Sequence, residues 1–369
     1  MNLIENYKDI LKGMRSYSHL YQGFLKDIQH EYECLCSDKQ LYILEQLLVA
    51  DRIIQFKVIW ERDDGTKVIN KGWRVQHSNI LGAYKGGLRF HPEVDSNTLR
   101  ALAFEQMLKC ALTSLPLGGA KGGSDFNPKD KSEAELKRFC RAFMDQLSSY
   151  IGENKDVPAG DMGVGSREIG YLYGRHIELT GQHSGVLTGK HPNFGGSCGR
   201  EEATGYGIAY ITRELLNDNK INIEKQRILI SGAGNVALFL AQKLIKMKAK
   251  VITLSDTSGT LHIENGLTQN TLDKIKEMKL LKKLSLKDIA GELKDSHEFL
   301  PNQTPWEIEA DIAIPCATQN EIDKETVKLL IKNQIKAIIE GANMPLTGDA
   351  LEQVEVNDVF FIPAIAANA

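Results

Sequence analysis

The fold of the second half of the chain is decided by the stretch Arg227-Ile-Leu-Ile-Ser-Gly-Ala-Gly-Asn-Val-Ala237. Its first four residues are typical of a short buried strand, and the glycine pattern that follows matches G-x-G-x-x-A at Gly232, Gly234 and Ala237. Gly232 permits a tight turn, Gly234 lets a pyrophosphate approach the backbone, and Ala237 allows a helix to pack closely on the strand. The free N–H groups at the start of that helix attract phosphate. The sequence therefore predicts a dinucleotide-binding unit.

The segments around this unit predict a Rossmann-like, doubly wound α/β domain. The predicted strands are 227–230, 251–254, 312–314, 337–339 and 359–362, and the predicted helices are 202–216, 236–247 and 324–332. Strands that alternate with helices favour a parallel sheet with helices on both faces. We therefore divide the chain into a first domain at 1–199 and a dinucleotide-binding domain at 200–369.

The first domain is also predicted to be α/β. Residues 52–60 and 67–75 alternate with a period near two, and Asp63-Asp64-Gly65 supplies a turn between them, as in a hairpin. Ser132 and Glu135 form a capping box that begins a helix. The predicted helical segments are 1–49, 98–115 and 132–150.

The residues after the second strand of the dinucleotide unit bear on the choice between NAD and NADP. Asp256 lies 22 positions beyond Gly234, and an acid at this place commonly holds the ribose 2′-hydroxyl, which favours NAD. Thr257 and Ser258 follow it, and three lysines downstream could reach a 2′-phosphate, although a solvated helix face is the simpler interpretation of their spacing. These lysines are Lys279, Lys282 and Lys283.

Four stretches of the first domain carry candidate catalytic and binding residues. They are 84–92 (YKGGLRFHP), 104–109 (FEQMLK), 118–125 (GGAKGGSD) and 157–165 (VPAGDMGVG). Paired glycines adjoin Lys85 and Lys121, which predicts loops where a ligand approaches the backbone. Ammonium groups brought together lower one another's pKa, and burial acts in the same direction, so that one lysine can serve as a base while others bind carboxylates. Such a set suits an anionic substrate that undergoes C–N chemistry coupled to hydride transfer.

Composition excludes several other classes of function. Lys and Arg total 45 against 48 Asp and Glu, and the net charge of -3 gives no general attraction to nucleic acid or to an anionic membrane. No apolar run is long enough to cross a bilayer, and residues 1–20 do not resemble a signal peptide, so a cytoplasmic location is expected. The six cysteines are scattered, Cys34-x-Cys36 is too isolated to bind zinc, and no metal site is predicted.

Taken together, the motifs strongly resemble those of the glutamate dehydrogenase family, particularly its bacterial NADP-specific hexameric members. The resemblance runs from about Arg52 to the last residue. The matching motifs are G-x-Y-K-G-G-x-R-F-H-P (82–92), G-G-A-K-G-G-S-D (118–125), V-P-A-G-D (157–161), F-G-G-S…R-x-E-A-T-G-Y-G (194–207), P-C-A-T-Q-N-E (315–321) and E-G-A-N-M-P (340–345).

This resemblance implies a role for each matching residue. Lys85 would bind the side-chain carboxylate of glutamate, since related leucine-type dehydrogenases have an apolar residue there. Gln106 and Lys109 would bind the α-carboxylate, with Gly160 beside them. Lys121 would activate the water that attacks the iminium intermediate, and Asp161 would carry protons to and from the amino group. The implied cofactor contacts are Thr204, Gly232, Gly234, Asn235, Val236, Asp256, Thr257 and Asn343.

The implied reaction converts L-glutamate, water and NADP into 2-oxoglutarate, ammonium and NADPH, in a homo-oligomer expected to be a hexamer. NADP is favoured over the alternative, NAD, because Asp256-Thr257-Ser258 resembles the NADP-dependent bacterial members.

The last residues depart from the family pattern. Where the family has P-G-K-A-A-N-A followed by further helices, this chain has Pro363-Ala-Ile-Ala-Ala-Asn-Ala369. Two alternatives to an active glutamate dehydrogenase therefore stay open at this point. One is a C-terminally truncated, catalytically impaired protein that binds cofactor or assembles as a subunit, and the other is a dehydrogenase of another amino acid.

Overall fold

The computed structural model describes residues 42–43, 46–293 and 297–369. Nearly all of the helical segment predicted at 1–49, together with Cys34 and Cys36, lies outside these residues. The chain divides into two compact units, one ending at Cys198 and the other formed by Gly199–Ala369. Each unit has its own sheet and its own buried core.

The first unit is built on a mixed sheet of five strands. The strands are β1 (Arg52–Glu61), β2 (Lys67–Ser78), β3 (Tyr84–Phe90), β4 (Gly119–Ser124) and β5 (Asp156–Gly160), in the order β1-β2-β4-β3-β5. The predicted hairpin is confirmed, because β1 and β2 pair antiparallel from Arg52 opposite Gln76 to Glu61 opposite Lys67. Strands β3, β4 and β5 run parallel to one another, so their carboxyl ends lie at one edge of the sheet.

Among the described residues of this unit, three helices pack on the sheet. They are α1 (Ser96–Leu112), α2 (Glu133–Leu147) and α3 (Ser166–Thr180). The capping box at the start of α2 is confirmed, since Ser132 accepts from the Glu135 N–H and the Glu135 carboxylate accepts from the Ser132 N–H. A 3-10 turn, Ser148–Tyr150, completes the predicted segment. Helix α1 ends three residues before its predicted end, and Ser114 (φ 58°) takes the left-handed conformation there.

The glycine-rich stretches around Lys85 and Lys121 are strands, not the loops that the sequence predicts. Their glycines remove side chains where backbones meet: a Cβ on Gly86 would lie 1.6 Å from the Ala120 carbonyl oxygen, and one on Gly119 would lie 2.4 Å from Met107 Cβ in α1. Glycine is a poor strand former, and here close approach of neighbouring chains outweighs that preference. The two lysines therefore lie on a rigid sheet.

The second unit contains the predicted doubly wound sheet. Its parallel strands are β6 (Arg227–Ile230), β7 (Lys250–Val251), β11 (Ile312–Ile314), β12 (Ala337–Ile339) and β13 (Phe360–Ile362), in the order β13-β12-β11-β6-β7. The α/β fold class and the strands predicted at 227–230, 312–314 and 337–339 are confirmed. The order of strands reverses between β6 and β11, and ligands of such sheets bind at the carboxyl ends beside this point.

One predicted strand of this unit is divided into two. Residues 251–254 were expected to form one strand, but only Val251 belongs to β7 of the parallel sheet. Beyond Ile252 the chain continues as β8 (Thr253–Asp256), which pairs antiparallel with β9 (Gly259–His262), and β9 pairs with β10 (Glu298–Pro301). This small second sheet was not predicted, and it holds Asp256 at the end of β8.

Helices cover the parallel sheet and bury its apolar residues. They are α4 (Arg200–Asp218), α5 (Asn235–Lys246), α6 (Gln269–Lys276), α7 (Leu286–Ala290), α8 (Lys324–Lys332), α9 (Gly348–Val356) and α10 (Ala364–Ala367). The predicted helix at 324–332 is confirmed, and those predicted at 202–216 and 236–247 are found within two residues of their bounds. In the described part of the chain, no helix is long and apolar enough to cross a membrane.

Candidate active site

The two predicted catalytic residues, Lys121 and Asp161, are in contact with each other. Lys121 lies in β4 and is buried, with 7% of its surface exposed. Asp161 directly follows β5, and its Oδ2 lies 3.3 Å from the Lys121 Nζ. Because β3, β4 and β5 are parallel neighbours, two residues 40 positions apart in the chain meet at one edge of the sheet.

Arg89, in β3, also binds Asp161. Its Nε donates to the same Oδ2 at 2.7 Å. A Cβ on Gly87 would lie 2.8 Å from the Asp161 Cβ, so glycine at this position makes room for the aspartate side chain. Arg89 lies in the R-F-H-P motif, but the motif does not predict its contact with Asp161.

These contacts shift the pKa values of both predicted catalytic groups downward. Burial lowers the pKa of the Lys121 ammonium below its ordinary value and Arg89 adds to this, while Asp161 and Glu105 act in the opposite direction. For Asp161, burial alone would raise the pKa, but Lys121 and Arg89 outweigh it and hold the carboxyl below its usual range. The lowered pKa brings Lys121 closer to the range in which a lysine can act as a base, and Asp161 is charged beside it.

Helix α1 supplies a second group of polar residues. Gln106 is half-buried, and a Cβ on Gly86 would lie 3.2 Å from its Cγ, so the amide lies close to β3. Lys109 is one turn further along, where its Nζ forms an ion pair of 3.0 Å with the buried Glu105. This ion pair holds the Lys109 ammonium on the helix that also carries Gln106.

Lys85 and Gly160 lie on neighbouring strands. Lys85 is half-buried in β3, where it pairs in register with Val157, and Gly160 ends β5 opposite Leu88. Strand residues two apart share a face, which places Lys85 on the same face of β3 as Gly87 and Arg89. The first unit thus gathers every substrate and catalytic residue of the prediction on three parallel strands and one helix.

In the second unit, the glycine motif forms the predicted turn between β6 and α5. Gly232 has a φ of 84°, which favours glycine, and a Cβ there would lie 3.0 Å from the Cys316 carbonyl oxygen. Gly234 is the N-cap residue of α5, and a Cβ on it would meet nothing within 4 Å. Asn235 and Val236 begin the helix. This open N-terminus fits a pyrophosphate, since its free N–H groups and its dipole favour an anion.

Thr204 lies in α4 beside the start of α5. A Cβ on the adjacent Gly205 would lie 2.5 Å from the Leu240 N and 2.7 Å from the Val236 O, so the two helices cross in close contact at this glycine. Asn235 Nδ2 donates to the Glu201 carbonyl at 3.4 Å. The prediction that Thr204 and Asn235 serve one ligand is consistent with this crossing.

The carboxylate of Asp256 accepts hydrogen bonds from other groups of the protein. Oδ1 accepts from the Ser258 N–H at 2.9 Å and from its hydroxyl at 2.5 Å. Oδ2 accepts from the Leu286 N–H at 2.8 Å and forms an ion pair with Lys279. A carboxylate has about four acceptor positions, and these four donors fill them. Burial alone would raise the pKa of Asp256, but Lys279 and the other donors outweigh burial and lower it.

The interpretation of the downstream lysines as a solvated face is wrong for Lys279. Its side chain is only 20% exposed, and a π-helical turn, Glu277–Leu281, brings it to Asp256. Lys282 fits the simpler interpretation, because it is 55% exposed and pairs with Glu277. Thr257 is exposed and makes the bend between β8 and β9.

Asn343 follows β12 at the carboxyl edge of the parallel sheet. Its Oδ1 accepts from Asn368 Nδ2 at 2.9 Å, and the same amide donates to the Gly341 carbonyl at 3.1 Å. The next residue, Met344, has a φ of 45°, a conformation that a side chain of this kind rarely adopts. The loop is therefore held in one unusual shape beside the predicted cofactor.

Two residues that were not predicted from the sequence shape the edge between β6 and β11. Ser231 Oγ accepts from the Cys316 N–H at 2.9 Å, and Glu321 accepts from the Ala317 N–H at 3.1 Å. Glu321 lay within a motif quoted for the family resemblance, but nothing in its local pattern shows which backbone groups it binds. Among the described residues, no group of three or more His, Cys, Asp or Glu side chains is placed to hold a metal ion.

Comparison with known proteins agrees with this arrangement. Residues 195–369 match the sequence profile of the Glutamate/Leucine/Phenylalanine/Valine dehydrogenases, and residues 50–177 match the Glu/Leu/Phe/Val dehydrogenase dimerisation domain. The chain belongs to this dehydrogenase family. The resemblance to glutamate dehydrogenases that the motifs indicated is thereby confirmed.

Individual relatives are similar over most of the chain. An NADP-specific glutamate dehydrogenase of Psychrobacter sp. is 48% identical over 345 residues, which cover 94% of this chain and 75% of the relative. An NAD(P)-specific glutamate dehydrogenase of Xylanibacter ruminicola is 44% identical over 367 residues, which cover 100% of this chain and 82% of the relative. The crystal structure of Plasmodium falciparum glutamate dehydrogenase superposes with a TM-score of 0.94 at 43% identity, covering 99% of this chain and 78% of that one.

Proposed function

We propose that this member of the family is a glutamate dehydrogenase, which converts L-glutamate, water and NADP reversibly into 2-oxoglutarate, ammonium and NADPH. The observation that carries the proposal is the Lys121–Asp161 contact of 3.3 Å on a sheet that also bears Lys85. The relatives described above are glutamate dehydrogenases at 44–48% identity over nearly the whole of this chain.

Two side chains of the first unit move the protons. Lys121, with its lowered pKa, accepts a proton from the water that attacks the iminium carbon of the substrate. Asp161 takes up and returns protons at the substrate nitrogen, and its own lowered pKa keeps it charged between turnovers. NADP, when bound, accepts the hydride from Cα. Because Lys121 is buried, bulk water has little access to its amine, which limits side reactions.

The remaining cations select a dicarboxylate. Lys109 and Gln106 in α1 bind the α-carboxylate, with Gly160 beside them, and Lys85 in β3 binds the side-chain carboxylate. A half-buried ammonium attracts a carboxylate more strongly than an exposed one does, because water screens the pair less. Leucine and norleucine offer no charge to Lys85, and this difference favours glutamate over the other substrates of the family.

The second unit binds NADP by its phosphates. The pyrophosphate would be held at the N-terminus of α5, where Gly234 leaves open space and Gly232, Asn235 and Val236 provide the turn. Thr204 and Asn343 would also contact the cofactor.

The filled carboxylate of Asp256 supports NADP over NAD. Its four acceptor positions are taken by Ser258, Leu286 and Lys279, so it has none left for a ribose 2′-hydroxyl. The Lys279 ammonium has further donors, and Thr257, the residue after Asp256, is exposed. Both suit a 2′-phosphate.

Replacing Lys279 by alanine is expected to raise the KM for NADP about tenfold to a hundredfold, which corresponds to the loss of one charge-assisted hydrogen bond, and to change the KM for NAD much less. Lys282→Ala is the matched control, since Lys282 lies three residues away and is exposed. Initial rates with each cofactor give both constants. Equal effects of the Lys279 change on NADP and NAD would exclude a phosphate contact.

We further propose a cytoplasmic homo-oligomer, in the form of a hexamer. Strand β1 is at the edge of its sheet, and Ile53, Ile59 and Ile69 on the outer face of the hairpin are 44%, 56% and 65% exposed. Ile59 and Ile69 lie directly opposite one another across the two strands. An apolar face next to a sheet edge is a typical subunit contact, and it lies within the residues that match the dimerisation domain. The mass of the assembly in solution tests the number of subunits.

A steady-state assay tests the proposed activity most directly. Purified protein of verified mass is expected to reduce NADP in the presence of L-glutamate, and to oxidise NADPH with 2-oxoglutarate and ammonium. Tight NADPH binding with no turnover in either direction would favour a subunit-like, cofactor-binding role. Faster turnover of leucine or norleucine than of glutamate would indicate a dehydrogenase of another amino acid.

A further inference from the structure

We infer that Arg89 is a positioning residue of this reaction: it holds and neutralises the Asp161 carboxylate, so that Lys121 is free to act as the proton acceptor. The inference rests on the roles proposed above for Lys121 and Asp161. It assigns Arg89 an effect on these two side chains and no contact with the substrate.

The backbone fixes Arg89 beside Asp161. Leu88 in β3 pairs with Gly160 in β5, and the Phe90 N–H donates to the Met162 carbonyl at 2.9 Å, so Arg89 and Asp161 lie side by side between these two contacts. On the other side, a Cβ on Gly123 of β4 would lie 2.2 Å from the Arg89 carbonyl oxygen. The guanidinium therefore extends from a backbone that is held on both sides.

Both cations contact the same oxygen of the Asp161 carboxylate. Arg89 Nε lies 2.7 Å from Oδ2 and Lys121 Nζ lies 3.3 Å from the same atom. Within the described residues, the structure records no hydrogen bond to Oδ1 of Asp161. The shorter contact belongs to Arg89, so Arg89 is the main partner of the carboxylate and Lys121 is the weaker one.

This difference matters because the two cations have different chemistry. A guanidinium stays charged at every pH that a protein tolerates, whereas a lysine can lose its proton when buried. If Lys121 were the single cation beside Asp161, the ion pair would hold the proton on its amine and remove the base. With Arg89 supplying the charge, Lys121 can become neutral and Asp161 still has a cation beside it.

Four of the other charged groups near Lys121 form two ion pairs with one another. On α1, Glu105 and Lys109 form an ion pair of 3.0 Å. On β2 and β5, Arg74 and Asp156 are bound at 2.5 Å with neither side chain exposed. The charged residues on the elements packed against β4 are Lys67, Lys71, Arg74, Lys85, Arg89, Arg100, Glu105, Lys109 and Asp156, with Asp161 directly after β5 and the titratable His77 on β2.

The test is the pH dependence of kcat/KM for glutamate oxidation in an Arg89→Gln variant. Loss of the cation makes proton loss from both Lys121 and Asp161 harder, so the rising limb of the profile is expected to move to higher pH. At neutral pH kcat/KM is expected to fall about tenfold to a hundredfold, which reaches at most the lower end of the usual contribution of acid–base catalysis, and to recover as the pH is raised. Arg89→Lys retains the charge and is expected to keep the limb near its wild-type position with a lower plateau.

Glu105→Gln is the matched variant, and its pH profile is expected to shift in the opposite direction. It replaces a buried anion by a neutral residue of the same size and leaves the Lys109 charge unbalanced, which makes proton loss from Lys121 easier. The rising limb is therefore expected to move to lower pH. Two neutral replacements that shift the same limb in opposite directions separate an electrostatic effect from general disturbance of packing.

Three results would overturn the inference: a lower plateau with an unmoved limb in Arg89→Gln, shifts of both Gln variants in the same direction, or an Arg89→Lys limb displaced as far as that of Arg89→Gln. The turnover of Lys121→Ala and Asp161→Asn is measured in the same experiment. Substantial turnover in either of these would show that the proposed catalytic roles themselves are wrong. Inactivity of both, together with an unmoved Arg89→Gln limb, would reject the role of Arg89 alone.

Discussion

Replacing Lys121 by alanine is expected to lower kcat by about a thousandfold, or about 4 kcal/mol of transition-state stabilisation, while the affinity for NADPH stays at its wild-type value. The kcat falls because the variant lacks the amine that accepts the proton from the attacking water. The affinity is spared because the phosphate-binding turn at Gly232 and Gly234 belongs to the other compact unit. Stopped-flow or steady-state rates and a fluorescence titration with NADPH measure the two quantities.

The structure indicates that this variant will fold. Arg89 remains bound to Asp161 at 2.7 Å, so removing Lys121 leaves no uncompensated carboxylate. Lys137→Ala is the matched control, since that lysine is exposed on α2 and is expected to change neither quantity. Wild-type turnover in Lys121→Ala would remove Lys121 from the role of base, and loss of NADPH binding would point to a wider structural change.

The same site predicts the pH dependence of the wild-type enzyme. The pKa of Lys121 is lowered, chiefly by burial, so the amine loses its proton at a lower pH than an exposed lysine does. Oxidation of glutamate requires this neutral amine, and its rate therefore rises with pH up to that point. The pKa of Asp161 is also lowered, so Asp161 is already charged over this range.

The parts of the fold that were predicted correctly have local signals. The alternation at 52–60 and at the start of 67–75 identifies the hairpin, because one face of β1 and of Lys67–Lys71 is more buried than the other, whereas Gly72–Ser78 are buried at every position. The glycine motif at Gly232 and Gly234 sets the turn, and the residues on either side form the predicted strand and helix. These features depend on residues a few positions apart, which is the range over which sequence periodicity carries information.

The errors have a common cause in contacts between distant segments. Strands β3 and β4 were taken as loops because glycine disfavours strands, and only the close approach of Ala120 to Gly86 explains their presence. The small sheet of β8, β9 and β10 has short strands, and one of them pairs with residues more than 35 positions away.

The same cause limits prediction of the site. Lys85, Lys121 and Asp161 were found through motifs, and their roles stay proposals that the variants above test. Arg89 and Lys279 were missed as partners, since each binds an aspartate that is distant in sequence, 72 and 23 positions away. Single-sequence spacing identifies groups capable of chemistry, but the groups that tune their charge are found only in three dimensions.

Replacing Lys85 by leucine is expected to lower kcat/KM for glutamate by about a hundredfold to a thousandfold and to raise the relative rate with norleucine. The side-chain carboxylate of glutamate then has no cation in a half-buried site, and leaving one member of such a pair alone costs about 3–5 kcal/mol. Norleucine lacks that carboxylate, and it gains apolar contact with the new side chain instead. Initial rates with both amino acids at saturating NADP give the ratio.

Lys85→Met separates charge from shape in this experiment. Methionine is unbranched like lysine and fills similar space in β3, so it is expected to lose glutamate activity as leucine does if charge is the cause. If both variants still preferred glutamate to the same degree as the wild type, Lys85 would not be the residue that selects a dicarboxylate. If Lys85→Leu changed the substrate preference and Lys85→Met did not, side-chain shape would be the determinant, because the charge is absent from both variants.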